Sequence, residues 1–410
     1  MPTERSTRRR RRRQARRRGF VALAVIVVVA IVAGVAVVRA LTGAGDAAPS
    51  AARDGSGQTA THAGSDKAGG SAAGADVTAG ASPTSTTAAE PAPVRVVSGG
   101  DVMTDRVVKG FINANGAGAV LSGIAPQLQK GDVAWVNLES PLSNLGSPEP
   151  GKDYVFEGPP SMVPALAAAG IDLVTLGNNH TVDYGQAALA DTIKRLEKAG
   201  VQVVGAGLDD KDAWTAAIVK TSGGATIGFL AWSDVLWPGY KASSKPGVAE
   251  GRTDIPRMKR SIRALAKEVD YVVVGYHWGI EYEHYPWGPQ TSEAHAAIDA
   301  GADLVIGHHP HVLQGFETYK GRLIAYSLGD LVFDHYSIAT GQTVLVDAVL
   351  TPDGVTARLT PVYVSSSGIP AVQHGAAGKT ILALVKQYSG ALDTTVVIKG
   401  DTATVRAGRK

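Results

Sequence analysis

The sequence predicts an α/β fold, on three observations. Apolar strand-like segments alternate with helix-like segments from Val94 to Arg322. Gln186–Ala199 carries a 3.6-residue apolar period and stops at Gly200. Beyond Arg322 the pattern turns strand-rich. The chain has 410 residues, 44% apolar and 19% charged, an ordinary globular balance with room for a large core. It has no Cys, which excludes disulfide scaffolds, thiolate zinc sites and thiol catalysis.

The formal charge of +3 is uneven along the chain. Residues 1–18 hold ten Arg and a single acid, Glu4, leaving 30 basic and 36 acidic residues for the remainder. A mildly acidic body is not expected to bind nucleic acid. Gly19–Val38 is an uncharged apolar run of twenty residues. At helical rise it spans roughly 30 Å, one bilayer core. The Arg run precedes it directly, and positive charge stays on the cytoplasmic side. Residues 19–41 are therefore expected to be an uncleaved transmembrane signal anchor behind a cytoplasmic tail (1–18), with the body outside the cell. Residues 42–93 are mostly Ala, Gly, Ser, Thr and Pro with scattered charges, and Val77 is the sole branched aliphatic. Such a segment buries too little apolar surface to order itself, and as a coil would reach on the order of 40 Å.

The body opens with a strand, Val94–Gly100, that runs into Asp101. Helix is expected at 124–130, strand at 133–138, helix at 161–169 and strand at 171–176. The helix at 186–199 follows, then strands at 201–204, 225–232, 271–276 and 303–307. Helices are expected at 256–269 and 291–300. Strands at 323–328, 344–350 and 355–364 complete a domain of residues 94–370, and 371–410 reads as an added helix and hairpin.

Polar residues gather where these strands end: Asp101; Asn137 and Glu139; Asn178, Asn179 and His180, with Asp183; His277; and His308, His309 and His311. Ligands of open α/β sheets bind outside the carboxyl ends of the strands, so these clusters are expected to converge. Singly, each has a structural explanation as a turn, a cap or a surface pair. Together they supply carboxylate, amide and imidazole donors suited to one or two divalent ions such as Mn, Fe or Zn. Two such ions about 4 Å apart activate water and clamp a transferring phosphoryl group. Trp278, Tyr282 and Tyr285 read equally well as core or as a substrate wall.

The ordered motifs Gly-Asp-Val-Met (100–103), Asn-Leu-Glu (137–139), Asn-Asn-His-x-x-Asp-x-Gly (178–185), His-Trp-Gly-x-Glu-Tyr (277–282), His-Pro-His-Val-x-Gln (309–314) and Tyr-Ser-Leu-Gly (326–329) resemble the CapA family of capsule and poly-γ-glutamate biosynthesis. The resemblance spans roughly residues 94–370. It implies a calcineurin-like metallophosphoesterase fold: a two-sheet sandwich flanked by helices, α/β/β/α. It also implies metal ligation by Asp101, Glu139, Asn179, His277, His309 and His311, with Glu139 bridging, and proton donation by His180. Asp183, three residues on, would hold the His180 ring. Asn137, Trp278, Glu281, Tyr282 and Asp330 are the expected substrate contacts.

Two departures stand out. Met103 occupies the His position of the usual Asp-x-His, which removes a ligand and points to a mononuclear site. Asp330 stands where the family usually has Asn, adding a carboxylate. Two function classes follow: a metal-dependent hydrolase acting on a cell-surface polymer or its phosphorylated precursor, or a non-catalytic accessory subunit that handles nascent polymer. Both would work beside other capsule-synthesis membrane subunits.

Overall fold

The computed structural model describes residues 90–408. The expected tail, the anchor at 19–41 and the linker up to residue 89 lie outside the described residues. Among the described residues no helix is long and apolar enough to cross a membrane.

In chain order the strands are β1 (Val94–Val102), β2 (Val133–Leu138), β3 (Leu173–Thr175), β4 (Gln202–Val204), β5 (Ala206–Gly207), β6 (Ala217–Lys220), β7 (Thr226–Ser233), β8 (Gly247–Val248), β9 (Tyr271–His277), β10 (Leu304–His308), β11 (Phe316–Tyr319), β12 (Arg322–Ala325), β13 (Asp330–Val332), β14 (Gln342–Thr351), β15 (Gly354–Val364), β16 (Pro370–Val372), β17 (Val396–Lys399) and β18 (Thr402–Gly408). The first sheet runs β17-β18-β15-β14-β1-β2-β3-β4, with β13 also beside β1 and β16 beside β15. The second runs β11-β12-β10-β9-β7-β6, and β5 with β8 form a short ribbon. Parallel pairing joins β1 to β4 in the first sheet and β7, β9, β10 and β12 in the second.

Burial pattern explains the segments. β2 is buried at every position, as a parallel strand covered on both faces requires. β15 instead alternates, with Thr356 and Arg358 exposed between buried Val355, Ala357 and Leu359. Val96, Trp135 and Leu173 of the first sheet share one core with Phe229, Val273 and Ile306 of the second. Their neighbours Val97, Val136 and Val174 face the other way, onto Ile112, Leu166 and Leu189 of helices. Leu230, Val274 and Val305 likewise pack under Met258, Ile262 and Ala294. The protein is thus a mixed α/β fold, two sheets against each other with helices on their outer faces.

Most elements fall where the sequence predicts them. Gln186–Lys198 is helical, and Ile255–Leu265 starts at Asp254, whose carboxylate accepts from Arg257 N at 3.0 Å. A helix at Arg106–Asn115 is not predicted. Its buried side chains are only Val108 and Ile112, and the interior Gly110 lowers its propensity. The C-terminal segment is not an appendage. β18 pairs with β15 from Gly354–Gly408 to Leu359–Ala403, and the helix Gly375–Gly390 sends Ile381, Leu382 and Val385 into the shared core.

Gly100 marks the tightest point near the strand ends. A Cβ there would lie 1.8 Å from Gly329 O, where β1 meets the start of β13. We predict that Gly100→Ala destabilises the fold by about 3 kcal/mol, since the obstacle is backbone and cannot swing aside. Thermal unfolding checks this; an unchanged midpoint contradicts it.

Candidate metal centre

The carboxyl ends of both parallel strand sets converge. β1 contributes Asp101, whose register partners are Asn137 of β2 and Asp330 of β13. Glu139 follows β2, and the Asn178–Asp183 turn follows β3. β9 ends at His277, level with His308 of β10. His309 and His311 leave β10 with φ of +94° and +57°, backbone that side-chain-bearing residues rarely adopt. Asp101, Asn137, Glu139, Asp183, His277 and Asp330 are at most 1% exposed.

Amides lock this cluster. Asn137 Nδ2 donates to Asp101 Oδ1 at 2.8 Å and lies 3.3 Å from His277 Nδ1. Asn178 Nδ2 in turn donates to Asn137 Oδ1 (3.0 Å) and Leu138 O (2.9 Å), while Asn178 Oδ1 accepts from His180 N and Thr181 Oγ1. Asn137, expected as a substrate contact, is therefore a buried strut. Asn178 belongs to the same sequence motif as the candidate ligand Asn179, but it works as a second strut.

The donors fit a cation. Glu139 Oε1 is buried with no hydrogen-bond partner among the described residues, and the Nε2 atoms of His277, His311 and His180 stand 3.7, 3.8 and 3.9 Å from it. His277 Nε2 and Asn179 Oδ1 are 2.8 Å apart, at hydrogen-bonding distance, so these two candidate donors already adjoin each other. Asp101, Glu139 and His277 each offer a ligand atom within 4.8 Å of the others. The same holds for Asp101, His311 and Asp330, and for Glu281, His309 and His311. His309 Nδ1 has no partner, nor is either ring nitrogen of His308 aligned for a hydrogen bond. His308 Nδ1 nonetheless sits 3.1 Å from Asp101 Oδ1, a close contact to which the strand-end pattern assigns no role.

Burial sets the ionisation. Burial pushes Glu139 well above the usual carboxylate range, and the Asp101 charge adds to it. Burial also pushes Asp101 upward, but His308 and His311 outweigh it and hold Asp101 low. Burial, with the neighbouring imidazoles, holds His277 well below its ordinary value and His309 down to about 3. Burial works against a charged His311 too, yet Asp330, Glu139 and Asp101 raise it. Asp330 is lifted to about 7 by burial despite His311. His311 Nδ1 meets Asp330 Oδ1 at 2.8 Å, which turns Nε2 toward Glu139. Asp330 thus orients a donor.

His180 belongs to a second, coupled unit. Its Nδ1 lies 2.6 Å from Asp183 Oδ2, which also accepts from Phe156 N at 2.8 Å. Asp183 Oδ1 accepts from the buried Lys152 Nζ and from Tyr240 OH. Four donors leave Asp183 fully satisfied. Burial lowers His180 to about 4, against the pull of Asp183. The neutral ring thus keeps its proton on Nδ1 and turns Nε2 toward Glu139 and the cavity. Phe156 stacks on His180 with centroids 4.0 Å apart.

A cavity of about 190 Å³ opens above these groups, lined among others by Arg106, Phe156, His180, Tyr282, His311 and Asp330. Glu281 and Tyr282 also line it as expected contacts, Tyr282 half exposed. Trp278 corrects the expectation of a substrate wall. It is fully buried, stacks on Tyr276 at 4.3 Å, and donates from Nε1 to Tyr326 O. Met103 packs with Phe156 and Phe333, and its Sδ accepts from Asp105 N at 3.0 Å.

A family model described as "Bacterial capsule synthesis protein PGA_cap" matches residues 95–335. The capsule biosynthesis protein CapA of Bacillus anthracis is 34% identical over 261 residues, 62% of this chain and 63% of the relative. The PGA biosynthesis protein CapA of Bacillus subtilis (strain 168) is 33% identical over 259 residues, 62% of this chain and 67% of the relative. The match thus spans less than two thirds of the length of the Bacillus anthracis protein. Among solved structures, the NAD nucleotidase of Haemophilus influenzae aligns with a TM-score of 0.40 at 12% identity, over 73% of this chain and 63% of that one.

We predict that the purified protein carries a divalent transition metal and that His277→Ala lowers its stoichiometry sharply, because a neutral imidazole donor is lost. Elemental analysis of parent and variant decides it. Equal metal content in both contradicts the ligand set.

Proposed function

The chain belongs to the bacterial capsule synthesis protein family PGA_cap, and from that membership we propose that it is a metal-dependent, phosphoesterase-type hydrolase acting on a cell-surface polymer or its phosphorylated precursor. One observation carries this reading: a buried, unpartnered carboxylate oxygen on Glu139 ringed by three imidazole Nε2 atoms. A purely structural cluster would leave Glu139 uncompensated at a cost of a few kcal/mol.

In this reading Asp101, Glu139, Asn179, His277, His309 and His311 hold the ion or ions, of Mn, Fe or Zn character. A bound divalent ion supplies Lewis-acid polarisation and an acidified water. The protein's own groups do the rest. Asp183 fixes the His180 ring and keeps the proton on Nδ1. Nε2 of His180 then faces the cavity as a proton acceptor, and once charged as a donor to the leaving group. Phe156, Phe333 and Met103 form an apolar wall that limits water on that side.

A second reading, a non-catalytic accessory subunit, draws on Met103. The side chain at the usual His position is committed to apolar packing, so the site has one donor fewer.

The N-terminal segment extends the proposal. Arg8–Arg13 and Arg16–Arg18 flank the apolar run on one side only, so the body stands outside the cytoplasmic membrane, beside membrane subunits of capsule synthesis. Protease added to intact protoplasts is expected to remove the body; full protection contradicts this topology.

The two readings part at His180. Under the hydrolase reading, His180→Ala keeps metal and fold but loses about 10²- to 10⁴-fold in turnover of alkyl phosphodiesters. A nitrophenyl ester, whose leaving group needs little protonation, suffers less. Turnover and capsule output both unchanged in His180→Ala would remove the hydrolase reading.

A further inference from the structure

Arg106 stands at the mouth of the cavity in a conformation that its neighbours enforce. Its φ is +52°, a strained value for a side-chain-bearing residue. Its guanidinium lies over the Phe156 ring at 4.6 Å and the Tyr154 ring at 5.3 Å. Nη1 donates to Tyr336 OH at 2.7 Å and to Asp334 Oδ2 at 3.2 Å. These contacts occupy one corner of the guanidinium. Nε and Nη2, the other edge of the planar fork, make no hydrogen bond among the described residues. That edge has the geometry to receive two oxygens of one anionic group.

The surroundings make the fork a recognition element. Phe156 links Arg106 to His180 by stacking on one and underlying the other. Arg106 lines the same cavity as His180, His311 and Asp330, so an anion gripped by the fork shares that space with them. Of the other basic groups nearby, Lys152 is bound to Asp183 and His311 to Asp330. Tyr154 and Tyr336 are 62% and 68% exposed at the same mouth, aromatic rims of the kind that contact ligands. Holding a flexible side chain between two rings and a carboxylate removes the entropy loss that binding would otherwise incur.

We propose that Arg106 is the residue that selects an anionic substrate, gripping one carboxylate or phosphate of the polymer or precursor bidentately beside the reacting group. The proposal rests on the hydrolase reading for its substrate and names what that reading leaves open, the charge of the ligand. Glu281 and Asp334 line the same cavity, and Asp334 already pairs with Nη1, so an incoming anion is left the Nε–Nη2 edge of the fork.

The test titrates the full-length, metal-loaded protein in detergent with three probes: a γ-linked glutamate tetrapeptide, its side-chain amide counterpart, and inorganic phosphate. The parent is expected to bind at least one anionic probe about tenfold or more tighter than the amide peptide. Arg106→Gln should lose that margin while binding the amide peptide as before. Arg106→Lys keeps the charge but not the fork and should fall in between. Thermal midpoints establish that the variants are folded, and the lysine variant reads the same margin if the glutamine variant is not. A loss confined to the peptide identifies a carboxylate, and a loss confined to phosphate a phosphoryl group. Either supports the proposal. Anion binding in Arg106→Gln within twofold of the parent, or equal parent affinity for acid and amide peptides, overturns it. Binding requires no turnover, so this failure leaves the hydrolase reading standing, and an inactive parent leaves this result readable.

Discussion

Three carboxyl groups, Asp101, Glu139 and Asp330, sit buried within one site, and their mutual repulsion is the constraint that organises everything around them. In a low-dielectric interior such charges cannot stand alone. The protein answers with imidazoles on several sides, with a partly neutralised Asp330, and with a donor set that suits a metal cation. The unusual backbone at His309 and His311 follows from the same demand. Two ring nitrogens must reach the acids from adjacent turns of one loop, and an unstrained loop would aim them elsewhere. Asp183, by contrast, is saturated by Lys152, Tyr240, Phe156 and His180. It sits at the edge of this problem, and the imidazole it holds is that of His180.

The two departures from the family pattern act on opposite sides of the site. Met103 gives a soft side chain to the apolar wall under Phe156, where its lack of charge costs nothing. Asp330 gives a carboxylate to His311 Nδ1 and so commits that ring's Nε2 to the centre. One departure removes a donor and the other steadies a donor already present.

Much of this was legible because parallel strands buried on both faces read as unbroken apolar runs, and each run stops where chemistry begins. The ends of β1, β2, β9 and β10 were visible for that reason. Trp278, open between core and substrate wall, carries a signal that decides for core. Side chains alternate along an extended segment, so with His277 turned toward the acids, Trp278 had to face the helices. The helix at Arg106–Asn115 had no comparable signal, since two buried residues around a glycine make no period. Lys152 and Phe156 were also out of reach. They come from an irregular loop, and the pairing with Asp183 across about thirty residues leaves no trace in local pattern. The family motifs point to candidate ligands more readily than to their supports, because Asn137 and Asn178 differ from ligand asparagines only in what surrounds them.

The C-terminal hairpin bears on solubility as well as on architecture. β15 is eleven residues long, and β18 covers its outer edge from Gly354 to Leu359. Without that cover a half-buried, β-branched strand would offer a row of unpaired amides and carbonyls to any passing chain. The hairpin moves the exposed edge onto β17, which is four residues long and ends in Lys399 before a glycine turn. A short, charged rim is a poor template for further strand addition. For a protein proposed to work beside a concentrated polymer outside the membrane, with no cytoplasmic chaperone at hand, the last thirteen described residues thus act as a guard against self-association.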